Sequence, residues 1–319
     1  MIKLNCGMFE ESKKSTASKN ILITTIIFFF MLLIIQLAES IIPTIMSYPE
    51  LQKAIMSEEN VDIYRAMEIS TEIMMKPKYL IPTLICTIFG TLISMIYCRF
   101  VEARHLTSMG IRKKKAGIHY LQGLLVGFAM ISLAALTSTL FGATEMSLCK
   151  SPNMAIIAIM AVGFLIQGMS EEFIFRGYLM NSIGGKNNPW LAVIVSSAAF
   201  SLAHILNPGF NLFVFFNLTL FGVFAGLYMI AFDDIWGASA IHSIWNFTQG
   251  CFYGISVSGT GDTESIFRTV QVSQNSFLTG GNFGVEGSIF TTVTLIIACI
   301  PVIIKIKGIS KKNNENTTA

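Results

Sequence analysis

Charged residues are scarce in this chain: Asp, Glu, Lys and Arg make up 13% of its 319 residues. Soluble domains are about one quarter charged, so this scarcity argues against a soluble globular protein. Apolar residues account for 53% of the sequence, and the mean hydropathy is +0.62. A composition of this kind is typical of a membrane protein.

Cysteine pairs and zinc-protease motifs are also missing. The 6 cysteines contain no CxxC and no spacing that suggests a disulfide or a zinc knuckle, so we interpret them as small buried apolar residues. The HExxH pattern of soluble zinc proteases is absent as well. The net charge of +3 resides in loops, where it indicates membrane topology and gives no reason to expect a nucleic-acid partner.

Apolar stretches recur along the chain, and each is interpreted as a helix that crosses about 30 Å of hydrocarbon. We predict spans at residues 20–42, 78–100, 119–141, 152–168 (its helix continuing through 176), 189–206, 211–232, 235–257 and 287–306. The predicted fold is therefore all-α and polytopic, with about eight transmembrane helices. We divide it into an N-terminal membrane region (1–150), a core (151–257) and a C-terminal region with an outer loop, the last span and a basic tail (258–319).

The distribution of basic residues predicts the orientation. Lys and Arg cluster in the N-terminal tail, in the loop at 99–115, which includes Arg104 and the run from Arg112 to Lys115, and in the C-terminal tail. The positive-inside rule places all three in the cytoplasm. The loop after the first span is acidic, and 258–285 carries little positive charge, so both are expected outside. We thus expect a multi-pass protein of the cell membrane with both termini in the cytoplasm.

A pair of glutamates followed by an arginine is the most unusual polar group. A strongly apolar run precedes Glu171, Glu172 and Arg176. Ionisable groups at membrane depth are costly, so they indicate a functional site unless they serve only to pair with each other. Glu172 and Arg176 are spaced i, i+4 and can pair, whereas Glu171 points about 100° away. This spacing predicts that Glu172 is an ionised anchor and that Glu171 is free to exchange a proton.

Two further polar groups lie on later spans. His204 follows Phe200 at i, i+4 in the fifth span, and a single histidine on an apolar face is more often a satisfied core residue. His242 and Asn246 share one face of the seventh span, which is a stronger signal.

Helix lengths allow these groups to meet. Glu171 and His204 lie about 20 Å and about 22 Å along their helices from the turn at 184–185, at 1.5 Å per residue. The site would then hold two carboxylates, two imidazoles and an amide, which suits hydrolysis: a base for water, a second proton handler and oxyanion donors. A divalent metal such as zinc, with Glu171, His204 and His242 as ligands, is permitted but not required, and no organic cofactor is expected.

The motifs EExxxR, FxxxH and HxxxN, in this order on successive spans, resemble the CPBP family of intramembrane proteases. This family (CAAX protease and bacteriocin-processing) is also called the Abi or type II CAAX prenyl endopeptidase family. The resemblance covers about residues 156–251 and implies an intramembrane endopeptidase with a conical active site within the 151–257 core. It implies that Glu171 is the base, that His204 orients water or metal, and that His242 and Asn246 stabilise the oxyanion.

The resemblance also implies supporting residues and a role. Glu172 and Arg176 would support the site, and Phe200 would pack behind it. Bacterial members of the family act in bacteriocin maturation or self-immunity, and the Lys-, Asn- and Ile-rich composition is typical of a low-GC Gram-positive bacterium. We therefore expect a membrane-associated peptide or protein substrate in such a role, and not a prenylated one. Two alternatives stay open: a non-catalytic membrane immunity or binding protein, and a proton-coupled transporter, although inverted repeats are not evident.

Overall fold

The computed structural model describes residues 4, 6–58 and 60–318, with backbone alone for 312–314 and 316–318. Helices dominate these residues. The first half contains α1 (Gly7–Ser12), α2 (Ile21–Ser57), α3 (Ile63–Met74), α4 (Pro77–Cys86), α5 (Ile88–Ile96) and α6 (Ala116–Leu140). The second half contains β1 (Thr144–Leu148), α7 (Met154–Glu172), α8 (Asn181–Gly184), α9 (Pro189–Leu202), α10 (Leu212–Phe232), α11 (Trp236–Phe247), β2 (Phe267–Gln271), α12 (Ser276–Thr279) and α13 (Ile289–Thr318). The predicted all-α membrane fold is confirmed.

Six helices within the described residues are long and apolar enough to cross a membrane. They are Ile21–Ser57, Pro77–Val101, Ala116–Leu140, Met154–Gly184, Leu212–Phe232 and Ile289–Lys311. The other two predicted spans correspond to shorter helices, α9 with 14 residues and α11 with 12 residues. The total of eight spans therefore stays a prediction.

The first long helix differs from its predicted span. α2 continues through Pro43 and Pro49 to Ser57, so its 37 residues extend well past the predicted end at residue 42. At 1.5 Å per residue it is about 55 Å long, more than the hydrocarbon thickness, so part of it projects beyond the bilayer. The residues predicted as an acidic loop therefore lie largely on helices. Glu50, near the end of α2, forms an ion pair with Lys76 at 2.7 Å.

The N-terminal segment packs against one end of the bundle, which we call the basic end because it carries Arg112 and its neighbouring lysines. The backbone nitrogen of Met8 donates to Asp233 Oδ1 at 3.1 Å, at the turn between α10 and α11. The sequence analysis placed Arg104 among the charges of a basic cytoplasmic loop, and the structure corrects this interpretation because the side chain is buried. It is 1% exposed and forms an ion pair with Glu102 at 2.8 Å.

α11 lies at the centre of the bundle, and 9 of its 12 residues are buried. It packs along α6 and α7. A Cβ at Gly168 on α7 would lie 2.5 Å from the backbone nitrogen of Ser243 on α11, so only glycine permits this approach. Close approach at small residues is typical of helix packing in membranes. It places the end of α7 directly beside the middle of α11.

The far end of the bundle carries a folded loop. β1, which follows α6, pairs antiparallel with β2 from the loop after α11. The same loop contacts the turn between α9 and α10, where the Asn207 amide donates to the carbonyl of Ser258 at 2.8 Å. The segment predicted as an outer loop is therefore an ordered cover over this end, while its position outside the cell stays a prediction.

Candidate active site

The two glutamates lie where α7 changes its winding. α7 ends at Glu172, and π-helical turns follow from Phe173 to Met180 before α8 begins. Such turns are rare in proteins as a whole, but they often occur at functional sites. The extra residue in each turn changes the direction of the side chains that follow. All eight residues of these turns are buried.

Glu172 and Arg176 form the ion pair that their spacing predicted. Arg176 Nη1 lies 2.9 Å from Glu172 Oε1, and both side chains are 0% exposed. The Arg176 guanidinium also stacks over the Phe200 ring, 4.6 Å from its centroid. A buried cation is costly unless it is compensated, so this carboxylate and the ring face together make its position tenable.

His242 lies between the two glutamates. Its Nδ1 is 2.8 Å from Glu172 Oε1, and its Nε2 is 3.5 Å from Glu171 Oε2. The imidazole ring is held by edge contacts with Phe200 and Phe221, at centroid distances of 5.6 and 5.0 Å. The motif residues on α7 and α11 therefore contact each other, and Gly168 permits the short distance between the two helices.

Glu171 is the more accessible of the two carboxylates and has a different set of neighbours. Its side chain is 21% exposed, against 0% for Glu172. Gln167, one turn earlier on α7, donates its amide nitrogen to Glu171 Oε1. The amide oxygen of Gln167 accepts from Asn246 Nδ2 at 2.9 Å. Gln167 thus connects Glu171 to Asn246, a link that the sequence analysis missed although the i, i+4 spacing from Glu171 was visible.

His204 lies in a turn just beyond the end of α9, which is a correction to the predicted span of 189–206. The helix ends at Leu202, and His204 Nδ1 lies 2.9 Å from the carbonyl oxygen of Phe200. A carbonyl only accepts, so Nδ1 carries a proton and donates it to this oxygen. The His204 ring is 4.9 Å from that of Phe200.

Phe200 is the common contact of three polar motif residues. Its ring touches the guanidinium of Arg176 and the imidazoles of His204 and His242. The family resemblance implied that Phe200 packs behind the site, and this role stays a prediction. The ring packs against one side of both imidazoles.

Glu39 is a second residue that the sequence analysis missed. It lies on α2, and its Oε1 would be 2.7 Å from a Cβ at Gly90, while Ser170 Oγ would be 2.8 Å from the same point. Ser170 directly precedes Glu171, and the charge of Glu171 acts on the Glu39 carboxyl. A carboxyl group in a strongly apolar 37-residue helix was the available signal.

A third acidic group lies near His204 at the far end. Glu286 is 7% exposed, and its Oε2 accepts from the backbone nitrogen of Ser258 at 2.7 Å and from Gln249 Nε2 at 3.1 Å. Burial raises the pKa of the Glu286 carboxyl, and the positive charge of a protonated His204 acts against that shift. The loop that covers this end therefore places a buried carboxyl within electrostatic reach of His204.

The candidate metal ligands are not arranged as a three-ligand site. Across the part of the chain that the structure describes, no three His, Cys, Asp or Glu side chains are grouped so that they could hold a metal ion. His242 instead directs both ring nitrogens at carboxylates.

A comparison with protein families agrees with the motifs. Residues 152–248 match the family model described as type II CAAX prenyl endopeptidase Rce1-like. No curated protein matched the chain. The matched range includes all the motif residues, from Glu171 to Asn246, and is consistent with the CPBP family. The match agrees with the resemblance seen in the motifs, and the chain is a multi-pass membrane protein in which residues 152–248 are similar to the type II CAAX prenyl endopeptidase Rce1-like family.

Proposed function

We propose that this protein is an intramembrane endopeptidase in which Glu171 activates water. The observation that carries the proposal is the His242 imidazole between Glu171 and Glu172, with Arg176 neutralising only Glu172. The two adjacent carboxylates thus differ: Glu172 is fully buried and paired with Arg176, whereas Glu171 is 21% exposed and forms no ion pair with Arg176. Such a division is the usual sign of a catalytic base beside a structural anchor.

The proposed reaction begins with a water molecule held between Glu171 and His204. Glu171 takes a proton from the water, and the resulting hydroxide attacks the carbonyl carbon of the peptide bond. His204 orients the water through Nε2, since its Nδ1 is engaged with the carbonyl of Phe200. The proton held by Glu171 then passes to the leaving amine as the carbon–nitrogen bond breaks, which balances the step.

Asn246 and His242 are proposed to stabilise the oxyanion. At rest Asn246 donates to Gln167 and His242 Nδ1 faces Glu172. An oxyanion is a stronger acceptor than a neutral amide oxygen, so it would compete for the Asn246 donor. Preorganised donors of this kind are among the largest contributions to catalysis by hydrolases.

The option of a divalent metal stays a proposal. A metal held by Glu171, His204 and His242 would polarise the scissile carbonyl, but these three side chains would have to come closer together than they lie in the described structure. Loss of cleavage with a chelator, followed by recovery on addition of zinc, would support it.

The proposed substrate is a membrane-associated peptide or protein, and the proposed role is bacteriocin maturation or self-immunity. This role is tested by measuring how well cells survive a bacteriocin when they carry the wild type, Glu171→Gln or Arg268→Ala. Arg268 is an exposed residue of β2. Loss of protection with Glu171→Gln but not with Arg268→Ala supports a peptidase. The opposite pattern would point to a binding protein, and solute flux into reconstituted vesicles would point to a transporter.

A further inference from the structure

An apolar groove runs along the outside of the bundle between α6, α10 and α13. Its volume is about 660 Å³, and its walls include Val126, Met130 and Leu133 from α6, Phe224 from α10, and Ile297 and Val302 from α13. Leu133 and Ile297 are 45% and 52% exposed, so the groove opens toward the hydrocarbon region. This groove contains none of the proposed catalytic residues.

A pocket of about 680 Å³ lies at the basic end, beside the groove. Arg112, Lys113, Lys114, Lys115 and Lys305 line it. The two acidic residues in its wall are already paired: Asp233 with Arg112 at 3.2 Å, and Asp234 with His119. Among the ion pairs of the described residues, none involves the four lysines. The pocket therefore presents uncompensated positive charge.

The groove and the pocket form one continuous surface. Phe232 and Lys305 line both, and Lys305 Nζ lies 4.1 Å from the centroid of the Phe232 ring. Phe232 in turn stacks on Tyr228, a groove residue, at 4.5 Å. An apolar channel therefore leads directly to a cationic end, at the point where a transmembrane helix emerges from the bilayer.

We propose that this surface binds one anionic glycerophospholipid, with an acyl chain in the groove and the phosphate in the basic pocket. The apolar walls of the groove select the acyl chain. Free phosphate lacks such a chain, so the groove favours a lipid over free phosphate. The uncompensated lysines select an anionic headgroup over a zwitterionic one, because each basic residue near the membrane surface attracts anionic lipid. A lipid in this place would hold α13 against α6 and α10. The inference does not depend on the proposed peptidase activity.

Binding is tested with the purified full-length protein in detergent, titrated with phosphatidylglycerol, phosphatidylcholine or inorganic phosphate and followed by native mass spectrometry. We expect phosphatidylglycerol to bind in a one-to-one complex, phosphatidylcholine to bind more weakly, and phosphate alone not to displace the lipid. Equal binding of the two lipids, or displacement by phosphate, would overturn the proposal.

Two variants locate the site. Lys305→Gln is expected to weaken phosphatidylglycerol binding about fivefold, the effect of one lost charge near an anionic headgroup, while the exposed Lys307→Gln on the same helix should not. Ala129→Trp fills the exposed mouth of the groove and should also weaken binding, in contrast to Ala158→Trp on the exposed face of α7. Gel filtration and unfolding temperature establish that each variant is folded. Wild-type affinity in both site variants would refute the assignment.

Discussion

Nδ1 of His242 lies 2.8 Å from Oε1 of Glu172, the same oxygen that Arg176 approaches at 2.9 Å. One carboxylate oxygen therefore serves two buried basic groups, while the neighbouring Glu171 lies 3.5 Å from the second nitrogen of the ring and accepts from the Gln167 amide. Glu172 is thus committed to holding α7 and α11 together. Glu171 is the more exposed of the two carboxylates.

Glu172→Gln is predicted to destabilise the protein. The substitution leaves the Arg176 guanidinium buried without its counter-charge, and breaking a buried pair in this way costs about 3–5 kcal/mol. Thermal unfolding in detergent should therefore begin at a clearly lower temperature than in the wild type. Glu171→Gln is the matched control, since Glu171 has no such ion pair with Arg176, and equal unfolding temperatures for the two variants would contradict the division of roles.

Glu39→Gln is predicted to change the pH dependence of peptide cleavage without unfolding the protein. The charges of Glu39 and Glu171 act on each other, so removing the Glu39 carboxyl changes the electrostatic field at Glu171. Glu50→Gln is a control on the same helix, about 16 Å further along at 1.5 Å per residue. The measurement is kcat/KM across a pH series. Superimposable profiles for Glu39→Gln and the wild type would exclude Glu39 from the site.

Gly168→Ala is predicted to lower both stability and activity. The new methyl group would lie 2.5 Å from the backbone nitrogen of Ser243, so α7 and α11 must separate and Glu171 moves away from His242. Gly117→Ala is the control: among the described residues nothing lies within 4 Å of its Cβ position. That change should be neutral or stabilise the helix by up to about 1 kcal/mol. Unfolding temperature and cleavage rate together distinguish the two variants, and similar behaviour would argue against close helix contact.

Stability should decrease with rising pH because of Glu286. Burial raises the pKa of this carboxyl, so its contribution to stability is complete below the ordinary value of 4.5 and is lost as the pH rises through the raised pKa. We expect the unfolding temperature of the wild type to fall more between about pH 5 and about pH 8 than that of Glu286→Gln, which cannot titrate. Identical pH dependence in the two proteins would show that Glu286 is not responsible.

Several features of the site could be predicted from the sequence because they depend on spacing within one helix. The pair between Glu172 and Arg176 and the shared face of His242 and Asn246 both follow from i, i+4 periodicity. The clustering of Glu171 with His242 was a plausible prediction, since polar groups at membrane depth have few other places to lie.

The remaining features depend on contacts between distant parts of the chain. Nothing near Glu39 in the sequence indicates that α2 passes Gly90 and Ser170. The position of Glu286 depends on how the loop after α11 folds back onto Gln249 and Ser258. The end of α9 was misplaced because apolar residues continue to Leu206, although the helix ends at Leu202. Composition identifies apolar stretches, but it does not reveal the residue at which a helix ends.

The central claim is that Glu171 is the catalytic base, and the most direct measurement is peptide cleavage by Glu171→Gln. Glutamine preserves the shape of the side chain but cannot accept a proton from water. With wild type and variant purified and assayed against the same fluorogenic peptide library, we predict that the variant loses at least about a hundredfold in kcat/KM. Its unfolding temperature should match that of the wild type. Cleavage by Glu171→Gln at the wild-type rate would contradict the account.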